Sequence, residues 1–246
     1  GGLSAPSERS LSLIELHDVS YAYGSGGSDR PAAASGEALF TGATFTLARG
    51  DFLFLTGPSG AGKSTLLKLC YMELRPSAGR VQIFGTDVAA MSRDEVARAR
   101  RRIGVVHQDC RFLDHLSVAD NVALPLVFAG RAVDSGDLAD LLGWVGLSAR
   151  AGARPPELSG GERQRAALAR AVMLGPDVIL ADEPTGNIDW EMSERLLDLL
   201  AELGRLGKAV LLATHDLALI RAAKARISAR VLRIAGRRLQ FAGAGL

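Results

Sequence analysis

The sequence predicts an α/β layered fold, and three observations support this prediction. Short apolar runs that suit buried strands alternate with segments whose apolar residues recur at helical spacing. One run, Asp51–Thr56, is followed by a glycine-rich loop and then by a helical pattern from Lys63 to Leu74. Two later runs, Asp177–Leu180 and Ala209–Thr214, are almost wholly apolar, which is typical of strands buried on both faces.

The remaining elements follow from the same patterns in chain order. Strands are predicted at Leu11–Tyr23, Ala38–Gly50, Gly79–Val88 and Ala229–Phe241, with a Gly/Ser/Pro/Ala loop over Gly24–Glu37. A helix is predicted from Ser92, because acidic residues lie early and arginines late, as the helix dipole favours. Further helical patterns cover Leu113–Arg154, Leu158–Gly175 and Asp216–Arg226.

Length and composition limit the class of protein. A chain of 246 residues can form one large domain with a substantial core. A formal net charge of +2 gives no argument for a nucleic-acid partner. No apolar run approaches the roughly 18–20 residues that cross a bilayer. Cys70 and Cys110 lack metal-ligand spacing, so we expect a cytosolic protein with Cys70 in its core.

A glycine loop between a strand and a helix predicts a site for a phosphate chain. Gly57, four further residues and then Gly62-Lys63-Ser64 fit the phosphate-binding loop pattern. Glycines let the backbone N–H groups approach phosphates at a helix N-terminus, and the lysine adds a positive charge. The alternative is a glycine turn that holds no ligand. The predicted loop residues are Gly57, Pro58, Ser59, Gly60, Ala61, Gly62, Lys63, Ser64 and Thr65.

Two acidic residues follow the apolar run that begins at Asp177. An acid at a strand end beside a phosphate site can hold Mg²⁺, which suits Asp182. The next acid, Glu183, is then placed to orient or deprotonate an attacking water. The alternative is an ordinary acidic turn before Pro184.

A second helix start also suits an anion. Ser159 is a good N-cap, and Glu162 three residues later completes a capping box. Gly160 and Gly161 weaken the first turn, but they let its N–H groups approach an anion closely. The alternative is simply a well-capped helix.

The motifs taken together resemble those of ABC ATPases. "GPSGAGKST", "LSGGE", "ILADEP", Gln108 in "VVHQD" and His215 in "LLATHD" match that family in order over essentially the whole chain. The resemblance implies an α/β P-loop NTPase with a RecA-like core, an N-terminal antiparallel β subdomain and a helical subdomain. It implies one domain over 11–246 after an N-terminal tail at 1–10. Residues 11–92 and 168–246 would form the core with the β subdomain, and about 93–167 the Q-loop and helical subdomain.

The resemblance also implies ATP and Mg²⁺ as ligands, and it gives roles to individual residues. Lys63 would bind the β- and γ-phosphates, and Tyr23 would stack on adenine, with Tyr21 as the alternative. The implied metal ligands are Ser64, Gln108 and Asp182. The implied catalytic residues are the base Glu183, the switch histidine His215, the γ-phosphate sensor Gln108, and Lys63.

In this family two subunits close head to tail, so the resemblance implies a homodimer in the ATP state. Each ATP would lie between one phosphate loop and the partner's Ser159, Gly160 and Gly161. The loop Gly186–Asp189 would cross the interface. A carboxylate introduced at Gly161 is then expected to face the partner's γ-phosphate.

Longer stretches, including "VVHQDCRFLDHLSVADNVALPL" and "LADEPTGNID", are similar to the bacterial cell-division subfamily of the FtsE type. This implies a peripheral protein at the cytoplasmic face of the inner membrane. It would drive an integral membrane protein of the FtsX type to activate peptidoglycan hydrolysis, with other divisome proteins as further partners. His107 departs from the pattern, because an apolar or aromatic residue is usual there.

Two other functions stay open at this point. One is the ATPase of a lipoprotein-release or macrolide-export transporter, which shares "DEPTGN". The other is an ABC ATPase that acts on DNA or ribosomes, although the sequence has no coiled-coil insertion, zinc cysteines or second cassette. The membrane partner is expected at the cleft around Gln108–Asn121, with Phe112, Leu113 and Leu116 as contacts. The arginines of Arg93–Arg102 form either a solvated helix face or a contact to anionic lipid.

Overall fold

The structure is a computed structural model that describes residues 12–23 and 37–243. The predicted tail at 1–10 and nearly all of the predicted loop Gly24–Glu37 lie outside these residues. The described strands are β1 Ser12–Ala22, β2 Ala38–Ala48, β3 Phe52–Thr56, β4 Ala78–Ile83, β5 Thr86–Asp87, β6 Ile103–His107, β7 Val178–Asp182, β8 Ala209–Ala213, β9 Arg230–Ala235 and β10 Arg238–Phe241. The described helices are α1 Lys63–Cys70, α2 Arg93–Arg101, α3 Val118–Phe128, α4 Ser135–Trp144, α5 Gly160–Val172, α6 Trp190–Arg205 and α7 Leu217–Lys224.

A parallel sheet in the order β9-β3-β8-β7-β6 forms the centre of the fold. Its strands separate two apolar cores. Leu53 and Leu55 of β3 face the core that contains α1, whereas Phe52 and Phe54 face the core that contains α6 and α7. Because a core covers each face of the sheet, every residue of β3 and β8 is buried, as their apolar sequences predict.

An antiparallel sheet covers one side of this centre. β1 pairs with β2 and β4, and β4 pairs with β5. The hairpin of β9 and β10 joins the two parts, since β9 pairs with β3 and β10 meets β2. The mixed α/β fold with an antiparallel β region is therefore as expected from the sequence and the resemblance.

Helices α3, α4 and α5 form a helical region around a third apolar cluster. Val118, Val122, Leu142, Val145 and Leu158 are among its buried members. Strand β6 also lies within the predicted segment 93–167, but it pairs with β7 in the parallel sheet. In that segment helix α2 precedes β6 and helices α3 and α4 follow it, and the division into subdomains stays a prediction.

Several predicted elements differ from the observed ones. The helix predicted from Lys63 to Leu74 ends at Cys70, because Met72 takes a left-handed φ of 66°. The prediction of one strand over Ala229–Phe241 is wrong. Gly236 and Arg237 have φ values of 55° and 62°, which suit a two-residue hairpin turn, and the segment folds back as β9 and β10. The sequence patterns also gave no prediction for β6 and α6.

Close packing of β6 on α5 leads to a test of the fold. A Cβ atom at Gly104 would lie 2.4 Å from the backbone oxygen of Ala171 in α5. We therefore expect Gly104→Ala to lower the free energy of unfolding by about 1–3 kcal/mol, since neither backbone can move cheaply. Gly152→Ala is the matched control, because an added Cβ there meets no atom within 4 Å. Urea unfolding measures both variants, and equal stability of the two would contradict this packing.

Candidate functional site

The carboxyl ends of four parallel strands bring the predicted site residues to one edge of the sheet. In the strand register His107 is opposite Asp182, Asp182 opposite Ala213, and Ala213 opposite Leu55. The residues that follow these positions therefore emerge side by side. They are the phosphate loop after β3, Gln108 after β6, Glu183 after β7 and His215 after β8. Ligands of open α/β sheets bind at this kind of edge.

The phosphate loop depends on its glycines for geometric reasons. A Cβ atom at Gly57 would lie 2.9 Å from the Ile234 oxygen, and one at Gly62 would lie 3.0 Å from the Phe40 ring. Gly62 also begins α1 with a φ of 108°, a conformation that favours glycine. The Nζ atom of buried Lys63 donates to the carbonyl oxygens of Gly57 and Pro58, at 2.7 and 3.1 Å. The carbonyl oxygens of the loop thus bind the ammonium group of Lys63.

A cavity of about 770 Å³ lies over this loop. Tyr23 lines it, and its hydroxyl lies 3.0 Å from the Thr65 Oγ1 atom. Tyr23 is 61% exposed. Its ring contacts the Tyr21 ring edge-on, with 5.4 Å between the two ring centroids. Tyr21 instead packs against the core beneath β1. Of the two tyrosines, Tyr23 is the one beside the cavity.

Glu183 and His215 both line this cavity and contact each other. The Glu183 Oε1 atom accepts from the His215 backbone N at 3.0 Å and lies 2.8 Å from the His215 Nδ1 atom. Glu183 also has a φ of 46°, which is strained for a residue with a side chain. Its backbone N donates to the Ala213 oxygen at 2.8 Å, which holds this conformation. The strand register and the adjacent chain therefore fix where this carboxylate points.

A second cavity, of about 510 Å³, shares Ser64, Asp182 and Glu183 with the first. Gln108 lines it, together with exposed His107, so the unusual histidine lies beside the predicted metal ligands. The hydroxyl, amide and carboxylate oxygens of Ser64, Gln108 and Asp182 suit a hard cation such as Mg²⁺. No group of three or more His, Cys, Asp or Glu residues within 12–23 and 37–243 could hold a metal by itself.

The start of α5 has the predicted capping box. The Ser159 Oγ atom accepts from the Glu162 backbone N at 3.2 Å, and Glu162 Oε1 accepts from the Ser159 backbone N at 3.0 Å. The second of these bonds, followed by one from Arg150, lowers the pKa of the Glu162 carboxyl. Ser159 and Gly160 are exposed, and no residue of this turn is among the described residues that line the two cavities.

The expectation for a side chain at Gly161 is wrong. Gly161 is buried, and a Cβ atom there would lie 2.8 Å from the Met192 Cγ atom on α6. An aspartate at this position would therefore be directed into its own chain and would disturb the contact between α5 and α6. Gly161 has a packing reason to be glycine, whereas Ser159 and Gly160 are exposed.

The predicted contacts for a membrane partner differ in their exposure. Phe112 is half-buried, and the guanidinium carbons of Arg163 and Arg170 lie 5.2 and 4.6 Å from its ring centroid. Phe112 is thus occupied within the chain, while Leu113 is 42% exposed. The sequence analysis missed Phe128 at the end of α3, which is 78% exposed. The sequence feature that could have indicated Phe128 is the apolar pair Val127-Phe128 directly before Ala129-Gly130.

Other expectations concern the cysteines and the membrane. Burial raises the pKa of the Cys70 thiol to about 12, and the side chain lies fully inside the core as predicted. Cys110 is partly buried beside Gln108, and burial raises its thiol pKa to about 11. Among the described residues no helix combines the length and the apolar character needed to cross a membrane.

Comparison with known proteins gives the family. A sequence profile of the family described as "ABC transporter" matches residues 40–186. The chain belongs to the ABC transporter family. It is an ATPase of the ABC type, and its fold is that of the family's cassettes.

Two sequence relatives and one solved structure indicate which members of the family the chain resembles. The chain is 46% identical over 211 residues to the cell division ATP-binding protein FtsE of Escherichia coli K12, covering 85% of this chain and 90% of that protein. It is 37% identical to FtsE of Bacillus subtilis, covering 88% of this chain and 92% of that protein. A dimeric ATP-binding cassette solved with ADP and Pi has a TM-score of 0.78 and 30% identity, covering 93% of this chain and 97% of that chain.

Proposed function

We propose that this ABC ATPase binds ATP with Mg²⁺, dimerises around two ATP molecules and drives a membrane partner in bacterial cell division. The convergence of Ser64, Asp182, Glu183 and His215 on adjoining cavities at one sheet edge is the observation that carries the proposal. It brings together a phosphate-binding loop, oxygen ligands for a cation and a carboxylate base.

The phosphate loop would hold the triphosphate of the substrate. Its N–H groups and the positive end of α1 favour an anion, and Lys63 adds a charge once its ammonium leaves the carbonyls of Gly57 and Pro58. Those two bonds keep the ammonium next to the site beforehand, so little reorganisation is needed. The exposed ring of Tyr23 at the mouth of the same cavity would stack on adenine.

The roles of the polar residues follow from their chemistry. Mg²⁺, held by Ser64, Gln108 and Asp182, would neutralise charge on the phosphate oxygens. Glu183 would take a proton from the attacking water at its carboxylate. His215 would orient that carboxylate through the contact with Oε1 and, through its imidazole, bind the terminal phosphate.

Dimerisation would complete the site. Ser159 and Gly160 at the start of α5 are exposed, but these residues do not line the cavities of their own chain. A head-to-tail partner would place them against the triphosphate, and the exposed segment Gly186–Asp189 would cross between subunits. The structure of an ATP-binding cassette with ADP and Pi is described as dimeric, which supports this arrangement.

The biological role rests on the relatives. Two of them, at 46% and 37% identity, carry the name FtsE and are described as cell division ATP-binding proteins. We therefore favour cell division over lipoprotein or macrolide export. The chain would act at the cytoplasmic face of the inner membrane with an FtsX-type protein and other divisome proteins, and not on nucleic acid. The output would be activated peptidoglycan hydrolysis.

A groove between α2, α3 and α5 would receive the membrane partner. This cavity of about 430 Å³ combines apolar side chains, among them exposed Phe128, with three arginines: Arg100, Arg101 and Arg170. An apolar floor with a basic rim suits an amphipathic helix that has acidic residues beside its apolar face. If such a helix binds in the groove, Arg101 contacts its acidic residues rather than anionic lipid.

The base can be tested directly. Glu183→Gln should retain ATP binding and should trap an ATP-bound dimer, while hydrolysis falls by about 10²–10⁴-fold, because an amide cannot accept the proton from water. Calorimetry, size-exclusion chromatography with Mg-ATP and phosphate release measure these properties. Glu73→Gln is a control at an exposed carboxylate outside the cavities. Normal hydrolysis by Glu183→Gln would remove Glu183 from this role.

Dimer closure can be tested at Ser159 without loss of the helix cap. Asp and Asn cap helices as well as Ser does, so Ser159→Asp and Ser159→Asn differ mainly in charge. Placed against a partner's triphosphate, the carboxylate should weaken ATP-driven dimerisation about a hundredfold or more, and the amide far less. Analytical ultracentrifugation in the Glu183→Gln background gives both dissociation constants. Equal constants would mean that Ser159 does not face the second nucleotide.

The docking groove can be tested by charge reversal. Arg101→Glu should reduce recovery of the membrane partner from detergent extract about tenfold, since like charges would then face each other. Arg98→Glu makes the same change on an exposed part of α2 that does not line the groove. Equal recovery with both variants would place docking elsewhere.

Mass spectrometry of the captured protein tests the biological role, because a short four-span protein fits division and one with a large periplasmic domain fits export.

A further inference from the structure

The segment Gln108–Phe112 leaves the parallel sheet after β6, and side chains of α5 hold its backbone. Gln164 Nε2 donates to the Gln108 oxygen at 2.8 Å. An Arg163 guanidinium nitrogen donates to the Cys110 oxygen at 3.0 Å. An Arg170 guanidinium nitrogen donates to the Arg111 oxygen at 2.6 Å. Three side chains of one helix thus bind three carbonyl groups within four consecutive residues.

Further contacts strengthen this attachment. Both arginines lie over the Phe112 ring, and the second guanidinium nitrogen of Arg163 donates to the Pro155 oxygen at 2.9 Å. Gln164 is only 3% exposed, and burial lowers the pKa of the Arg170 guanidinium. Hydrogen bonds from charged groups to carbonyl oxygens in such partly buried surroundings are among the stronger ones in proteins. The segment and α5 should therefore move together.

The two ends of this assembly lie at different places in the proposed mechanism. Gln108 lines the cavity that also contains Ser64 and Asp182. The same helix begins at Ser159, which would contact the nucleotide bound mainly by the partner. A single regular helix joins the residues that bind the segment to this capping residue, so a displacement at one end is transmitted to the other.

The other side of Gln108 is also confined. A Cβ atom at Gly186 would lie 2.7 Å from the Gln108 Nε2 atom, so the carboxamide rests directly against that glycine. Gln108 is therefore held between α5 and the segment Gly186–Asp189. Its side chain can reach the cavity in few positions, and the backbone contacts to α5 select among them.

We propose that Arg163, Gln164 and Arg170 are positioning residues that set the position of Gln108 and couple it to Ser159 at the start of α5. This inference rests on the proposed function, because Gln108 must act on the bound nucleotide and its metal for the coupling to matter. None of the three side chains touches substrate in this scheme. They act on Gln108 through the backbone of the segment 108–112, and Arg170 in addition lines the docking groove and the cavity that contains Gln108.

The test is a double-mutant cycle between Arg163 and Gln108. Arg163→Met keeps the aliphatic stem and removes the bonds to the Cys110 and Pro155 oxygens. It should lower kcat about tenfold while KM for ATP changes less than about twofold, because the phosphate loop is untouched. In the Gln108→Ala background the same substitution should cost less than about twofold. Single-turnover phosphate release keeps the slow variants measurable.

Arg165→Met is the matched control on the same helix. Arg165 donates to the backbone oxygen of Val145 at 2.8 Å, in the helical region rather than in the segment 108–112. Its effect on kcat should be the same with and without Gln108, since it does not act through that residue. Arg163→Lys should recover part of the lost activity, because an ammonium can still donate to one carbonyl.

Gln164→Leu provides a second variant if Arg163→Met does not fold, and urea unfolding checks both. A readout besides hydrolysis is ATP-driven dimerisation in the Glu183→Gln background, which either variant should weaken about tenfold. Equal losses of kcat with and without Gln108, or unchanged kcat and dimerisation in both variants, would overturn the inference. If Glu183→Gln itself hydrolyses normally and does not dimerise, the proposed function fails instead.

Discussion

The register of the parallel strands is the constraint on which the site depends. Side chains of β3 alternate between two cores, with Phe52 and Phe54 on one face and Leu53 and Leu55 on the other. A slip of one residue would exchange these sets, so packing on both faces specifies the register. Since the same register aligns the ends of four strands, the hydrophobic pattern also determines that the phosphate loop, Gln108, Glu183 and His215 emerge together.

Hydrogen bonds hold the strained backbone conformation of Glu183 at this edge. Glu183 takes a left-handed φ of 46°, and its backbone N bonds to Ala213 of the neighbouring strand while its carboxylate accepts from His215. Without these contacts a residue with a side chain would leave that conformation. The carboxylate is thus aimed by hydrogen bonds to β8 and the turn after it, rather than by the preference of its own backbone.

The sequence predicts the fold class and this edge well, because both depend on local patterns. Buried strands read as apolar runs, and the glycine loop requires φ values that few other residues adopt. What it does not predict depends on long-range contacts. The hairpin at Gly236-Arg237 lacks an Asn-Gly or Asp-Gly pair, and the packing of Met192 on Gly161 joins two helices distant in the chain. Site roles come from the motif resemblance, whereas the contacts to α5 require coordinates.

The capping box of α5 connects these observations to assembly. Its reciprocal bonds satisfy Ser159 and Glu162 within the chain, yet the outward face of the turn at Gly160 remains exposed and away from the cavities of its own chain. A glycine in a first turn costs helix stability, and the packing against Met192 accounts for Gly161 alone. At Gly160 an added Cβ would meet the Asn187 oxygen at 3.3 Å, in the segment next to Gly186. The turn is therefore shaped by the same segment that confines Gln108, so the elements proposed to meet a second subunit form one packed unit with Gln108.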